Sequence, residues 1–353
     1  MSPREIPGPG GLQSGSTSLT GICMFIDLGG TGSSLPNRIL PSSEIDRQLG
    51  QNVGTLEMRT GVAQRYVCEQ ETQIDLAVAA ARAAIEDAGL PVDQVELVLS
   101  GSAIPYQPLP AMAPLIMREI GIPDGQAAAF DVNSTCLSFL TALETAAHLL
   151  SAGRYQTALV VASEIASRAL PWDDHPETAA LFGDGAGAVL LRRASGPLAS
   201  RIRASLMTSF PSAYEACSIG AGGTRFDFRK QNEDFARNAV FSMDGSALFR
   251  LSRRHFAAFV AKVLDEAGWT LSDVDLVIPH QASPFALEHM ARQVGVSAEQ
   301  MIDITRSHGN QIAASIPFAL DIARKAGRIQ TGSRVLFLGT SAGVSFGAMA
   351  LEV

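Results

Sequence analysis

Two stretches of this chain spell the same structural unit. EDAGLPVDQVELVLSGSA, residues 86–103, and DEAGWTLSDVDLVIPHQA, residues 265–282, align without a gap at an offset of 179 residues. Each reads as a helix stopped by a glycine (Gly89, Gly268), a short acidic loop, and a buried strand over 95–99 or 274–278. A second pair follows in the same order: ALETAAHLLSAGRYQTALVVAS at 142–163 and ALDIARKAGRIQTGSRVLFLGTS at 319–341, again helix, glycine and strand. Two echoes in one order argue for duplication of an α/β half. The pattern predicts an α/β chain of two similar halves related by a pseudo-twofold, 22–194 and 195–353, with helices shared between sheet layers.

Composition narrows the function classes. Of 353 residues 46% are hydrophobic and 18% charged, a core-rich balance that excludes a disordered or coiled-coil chain. No apolar run is long enough for a spanning helix. A formal charge of −8 provides no electrostatic basis for binding nucleic acid or an anionic membrane. The four cysteines, Cys23, Cys68, Cys136 and Cys217, are far apart and lack metal-ligand spacing. They indicate neither a disulfide framework nor a zinc site and fit a reducing, cytoplasmic setting. His148, His175 and His289 have no ligand partners, so no metal is expected. Residues 1–21, rich in Gly, Pro and Ser, read as a flexible tail without a signal sequence. Gly29, Gly30 and Gly32 follow a buried strand as a turn, and with no helix signal after them they do not form a phosphate loop.

Three positions draw chemistry. Cys136 follows a short strand at 129–132 and opens an amphipathic helix, where unpaired backbone N–H groups and the helix dipole would lower a thiol pKa and make a nucleophile. Inert packing is the competing reading for a lone cysteine. His280 ends a buried strand whose counterpart in the first copy carries Gly101, so only one half has a polar group there. Asn310 precedes the helix that echoes the Cys136 helix, and the pseudo-twofold brings the two loops together. Singly, these two read as a strand end and an N-cap. Together with Cys136 they form a constellation.

The strand before Cys136, PHQAS, GNQIAASIPFAL thirty residues on, FGDGAGAVLL and the final GTSAGVSFGAMALEV together resemble the ketoacyl-acyl carrier protein synthase III family of the thiolase superfamily, over nearly everything after residue 21. The resemblance implies a thiolase-like fold, two duplicated halves in a layered αβαβα arrangement. It implies a cytoplasmic homodimeric condensing enzyme with an acyl carrier protein as partner and no metal or redox cofactor. Cys136 would accept the acyl group from an acyl-CoA or acyl-carrier thioester. His280 and Asn310 would stabilise the enolate formed when a malonyl thioester decarboxylates, because an enolate oxygen in a dry site needs two N–H donors. The backbone N–H groups of Cys136 and Gly343 would form the oxyanion hole. The pathway would be fatty acid, polyketide or other secondary metabolism. An acyltransferase of the same fold delivering to an alcohol or amine, and a non-catalytic heterodimer subunit, are the alternative readings.

Relatives within the superfamily separate by residue type. A thiolase would place a second cysteine in TSAGVSFGA, which has none; elongating synthases use two histidines where this chain has His280 and Asn310, with His308 structural; plant-type synthases end in GFGPG rather than GTSAG. Arg59 matches the family's substrate-binding arginine, but Thr55 stands where a tryptophan stacks on coenzyme A. The second stacking position falls near Pro176, with Trp172 as a substitute, and a lost base stack forfeits ~1–3 kcal/mol. A carrier-bound acyl donor therefore becomes credible. Pro284 and Phe285 replace the basic residue after the HQA motif, leaving Arg250, Arg253, Arg254 and Arg292 as the basic groups for an acidic carrier. Leu109 matches the residue sent across the dimer interface to close the acyl pocket. Being smaller than the frequent phenylalanine, it predicts a medium-length or longer acyl chain.

Overall fold

A computed structural model describes residues 24–194 and 200–353. The tail expected over 1–21 lies outside the described residues, as do 22–23 and the segment 195–199 between the halves. The first half holds β1 (Met24–Ser34), β2 (Arg38–Pro41), α1 (Ser42–Gln48), α2 (Thr55–Thr60), β3 (Gln64–Val67), α3 (Gln73–Asp87), β4 (Leu97–Ser100), α4 (Met112–Ile120), β5 (Ala128–Asp131), α5 (Ser138–Ser151), β6 (Thr157–Glu164), α6 (Pro176–Ala179) and β7 (Gly185–Arg193). The second holds β8 (Ser200–Ser209), β9 (Cys217–Ser218), α7 (Asn232–Asn238), β10 (Ser242–Met243), α8 (Gly245–Ala267), β11 (Leu276–Pro279), α9 (Pro284–Val294), α10 (Thr305–His308), α11 (Ser315–Lys325), β12 (Arg334–Ser341) and β13 (Ser345–Glu352).

Both echoes fold as the same unit. α3 and α8 stop at Gly89 and Gly268, with φ of 58° and 69°, a left-handed conformation that glycine adopts without a Cβ clash. The second echo turns at Gly153 and Gly327, with φ of 72° and 70°. The large sheet runs β11-β12-β13-β8-β1-β7-β6-β4-β5. Outward from the central β1–β8 pair, β1-β7-β6-β4 on one side mirrors β8-β13-β12-β11 on the other. β4 and β6 are parallel, as are β11 and β12, while β6–β7 and β12–β13 are antiparallel. The outermost strand, β5, has as its counterpart only a parallel bridge between Val277 and Met301.

Side-chain alternation along the strands sets the layers. Leu97 and Leu99 face α5 and α11, whereas Val98 faces α3 and α4. In the second half Leu276 and Ile278 face the same central helices, and Val277 faces α8 and α9. The result is the layered αβαβα arrangement, with α5 and α11 sandwiched between the two halves of the sheet. α8 buries Phe256, Phe259, Val260, Val263 and Leu264 along one face, each worth ~1.5–3 kcal/mol of apolar burial.

One expectation is corrected. Gly29, Gly30 and Gly32 are not a turn: β1 continues through them to Ser34. A Cβ on Gly30 would lie 2.3 Å from the Ala84 carbonyl oxygen, and one on Gly32 would lie 2.3 Å from that of Ala80. These glycines let the backbone of α3 lie directly on the strand.

Candidate active site

The two helices between the sheets begin in the same way. A short turn, Thr135–Leu137 before α5 and Ile312–Ala314 before α11, opens with a non-glycine residue at positive φ: 54° at Thr135 and 50° at Ile312. Such backbone costs on the order of 1–3 kcal/mol for a β-branched residue and persists only where surrounding bonds hold it. A serine does so in both copies. Ser138 donates to the Thr135 carbonyl at 2.6 Å, and the Ser315 hydroxyl lies 2.8 Å from that of Ile312. In this register Cys136 occupies the place of Ala313.

Cys136, His280 and Asn310 line one cavity of about 530 Å³. His280 follows β11 and Asn310 follows α10; they are 5% and 7% exposed. Gly101, at the position equivalent to His280, has no room for a side chain: a Cβ would lie 2.9 Å from the Phe139 Cα. Asn310 is fixed on both sides, its Oδ1 accepting from the Ile312 N–H at 2.8 Å and its Nδ2 donating to the Ala282 carbonyl at 3.3 Å. The other Nδ2 hydrogen remains for a substrate. The cavity wall is apolar on both sides of the three groups. One side comes from Ala166, Ala169, Leu170, Phe182, Cys217 and Phe241, the other from α8 and α9, including Leu248, Phe256 and Met290.

Burial dominates the electrostatics. It pushes the His280 imidazole down to about 4, partly opposed by the Ile312 carbonyl, so the ring is neutral at pH 7. The Cys136 thiol is pushed up to about 12, first by burial and then by Cys217 and Glu164. This corrects the lowered pKa expected at a helix start. The backbone N–H groups of Ala342 and Cys136 act in the downward direction, but Cys136 sits inside the short turn rather than in the regular helix and desolvation outweighs them. Those two are the backbone donors that act on the sulfur. Gly343, expected in that role, is the next residue: it turns the backbone with φ of 110° and is not among the lining residues.

The basic residues lie elsewhere. Arg250, Arg253 and Arg254 are exposed on one face of α8, and Arg292 is exposed on α9, where it pairs with Glu288 at 2.5 Å. None lines the cavity. Arg59 is exposed and paired with Glu177, and neighbouring Arg306 with Glu57. Trp172 packs against the small cluster of Ile45, Leu56 and Ala180, so its ring belongs to that cluster. Leu109 is 85% exposed and does not reach the cavity of its own chain. His308 lies against Tyr66 and Phe318 and accepts or donates at Nδ1 with Ser307, as a structural residue does.

Three residues escaped sequence reasoning. Ser315 lies 2.9 Å from His280 Nδ1. Ala342 supplies the second backbone donor. Glu164, buried at the end of β6, accepts from the backbone of Ala103 at 2.5 Å and Ile104 at 3.3 Å. Ser315 was findable, because extending the second echo a few residues toward its start aligns it with Ser138.

The profile of the 3-oxoacyl-(acyl-carrier-protein) synthase III family matches residues 130–209, and the profile of its C-terminal part matches 264–353. A β-ketoacyl-(acyl-carrier-protein) synthase III from Streptomyces coelicolor is 35% identical over 325 residues, covering 92% of this chain and 96% of that protein. The chain belongs to the β-ketoacyl-(acyl-carrier-protein) synthase III family. Among solved members, the synthase III of Aquifex aeolicus superposes with a TM-score of 0.82 at 29% identity, covering 94% of this chain and all of that one. A priming β-ketosynthase from a polyketide biosynthetic pathway superposes with a TM-score of 0.83 at 27% identity, covering 93% and 96%. The thiolase-type layering is thus the fold of synthase III, and the chain is a condensing enzyme of the acyltransferase class.

Proposed function

We propose that Cys136 is acylated by an acyl thioester and that the acyl group is then joined to a malonyl-type thioester by decarboxylative Claisen condensation. In the first half-reaction Sγ bonds to the thioester carbon, the donor thiol leaves, and the proton of Cys136 passes to it. In the second, the malonyl unit loses CO2, the electron pair collects as an enolate between His280 and Asn310, and its carbon attacks the acyl-Cys. The thiolate of Cys136 is released and the product is a β-ketoacyl thioester. Neutral His280 supports this reading, since an imidazolium would offer the carbanion a proton. The observation that carries it is one cavity containing a thiol from the first half with an imidazole and a carboxamide from the second. The backbone N–H groups of Cys136 and Ala342 serve the tetrahedral oxyanion, with Gly343 shaping the turn.

No metal or redox step enters the reaction as written. The donor we propose is an acyl carrier protein rather than coenzyme A: Thr55 offers no stack, Arg59 is engaged by Glu177, and Arg253 and Arg254 have no acidic partner among the described residues. β5 has an open edge and Leu109 projects from its own chain, which supports a homodimer closing the acyl pocket across the interface. The long apolar walls favour a medium or longer acyl chain. Mass spectrometry after incubation with a panel of acyl-carrier thioesters tests the assignment. An acyl adduct on the Cys136 peptide and labelled CO2 from a malonyl thioester are expected, and an adduct surviving Cys136→Ala would overturn it.

A further inference from the structure

Ser138 and Ser315 are the same residue in the two copies, and their hydroxyls have diverged in use. Ser138 accepts from the Ser134 N–H at 2.9 Å and donates to the Thr135 carbonyl, which closes the turn and nothing more. Ser315 accepts from the Gln281 N–H at 3.3 Å and has two groups competing for its single proton: the Ile312 carbonyl at 2.8 Å and His280 Nδ1 at 2.9 Å. Which one receives it decides the tautomer of His280. With the hydroxyl turned to Ile312, Nδ1 must be the donor and Nε2 is a bare lone pair. With the hydroxyl turned to Nδ1, the imidazole proton sits on Nε2. Nε2 makes no hydrogen bond within the protein among the described residues, and His280 lines the cavity, so this is the nitrogen offered to substrate.

We propose that Ser315 is a positioning residue for the condensation, its hydroxyl donating to His280 Nδ1 and thereby holding the proton on Nε2, where the enolate needs a donor. This rests on the reading of His280 given above. Acylation of Cys136 makes no such demand, because the thiol proton requires an acceptor and the oxyanion is served by backbone N–H groups. The two half-reactions therefore depend on Ser315 differently. In Ser315→Ala nothing donates to Nδ1, and the proton is no longer held on Nε2. Ser315→Thr retains the hydroxyl.

The test measures the half-reactions separately. Labelled CO2 release from malonyl thioester should fall about 100-fold in Ser315→Ala, the effect of removing one preorganised donor. Acylation of Cys136, followed by mass in the absence of malonyl thioester, should change less than about threefold. Ser315→Thr should restore CO2 release to within about tenfold of wild type. The pH response separates positioning from packing. An imidazolium carries Nε2–H whatever Ser315 does, so the ratio of variant to wild-type CO2 release should stay near one hundredth at pH 8 and climb to about one tenth at pH 5 as the imidazolium fraction grows. The other titratable groups on the cavity are Cys136 and Cys217, held as thiols to about 12 and about 11, and His289 on α9, whose pKa burial lowers and which is present in both proteins. Glu164, whose carboxyl meets the backbone of Ala313, titrates near 8 in both proteins and cancels in the ratio. Equal losses in both half-reactions, or a ratio independent of pH, would overturn the proposal. Nitrogen-15 NMR of histidine-labelled wild type, with the His280 signals assigned by their loss in His280→Gln, provides a check that needs no variant of Ser315 to fold. A proton found on Nδ1 overturns the proposal. Wild type that releases no CO2 at all would instead refute the condensation reading.

Discussion

Glu164→Gln is the most demanding perturbation of the site's support. The carboxyl is completely buried, accepts from Ala103 and Ile104 at the end of the β4 unit, and is also acted on by the Ala313 N–H at the start of α11. It thus ties the loops of both halves beneath the reactive thiol. Burial outweighs these donors and pushes its pKa up to about 8, against about 4.5 for a free glutamate. The sign follows directly. Between those two values the unfolded chain has lost a proton that the folded protein keeps, so the contribution is full below about 4.5 and is lost as pH rises through about 8. The slope reaches about 1.4 kcal/mol per pH unit inside the window. Glu164→Gln removes the titration and, by opposing an amide N–H to one of the backbone donors, costs ~1–2 kcal/mol; Glu164→Ala, which leaves those donors unpaired, costs ~3 kcal/mol or more. Urea unfolding of wild type and Glu164→Gln at pH 5, 6, 7 and 7.5 measures the difference. Asp184 is also raised by burial and is present in both proteins, so it cancels. Parallel stability curves for the two proteins would refute the reasoning.

Gly32→Ala should destabilise the fold by about 3 kcal/mol, because its Cβ would sit 2.3 Å from the Ala80 carbonyl oxygen and 2.5 Å from the Ala84 nitrogen, forcing α3 off β1; a loss under about 1 kcal/mol in a urea titration would contradict this. Alkylation of Cys136 by iodoacetamide, read on its own peptide, should accelerate close to tenfold per pH unit from 7 to 10 because the thiol stays protonated. A plateau by pH 8 would show a thiolate that burial does not suppress.

The duplication was legible because helix stops and buried strands leave local marks. Gly89 and Gly268 had to be glycine at positive φ, and the apolar runs after them had to be strands covered on both faces. From the echo alone came the mirrored halves and the meeting of the Cys136 and Asn310 loops. Motifs carried His280 and Asn310 into the same site. The glycines of β1 misled because a turn and a close helix contact demand the same missing Cβ, and only the position of α3 distinguishes them.

What residue order determined, then, was the unit and its repetition, together with the three chemical groups. Their protonation belonged to the tertiary structure. A helix start taken by itself promises an acidic thiol, yet desolvation by the surrounding layers holds Cys136 as a thiol and His280 as a neutral ring. The division of labour between Ser138 and Ser315 was likewise decided in three dimensions: identical turns acquire different partners because one faces His280 and the other does not. Local propensity acts over a few residues of chain, whereas dielectric surroundings and hydrogen-bond competition are set by groups that only folding brings together.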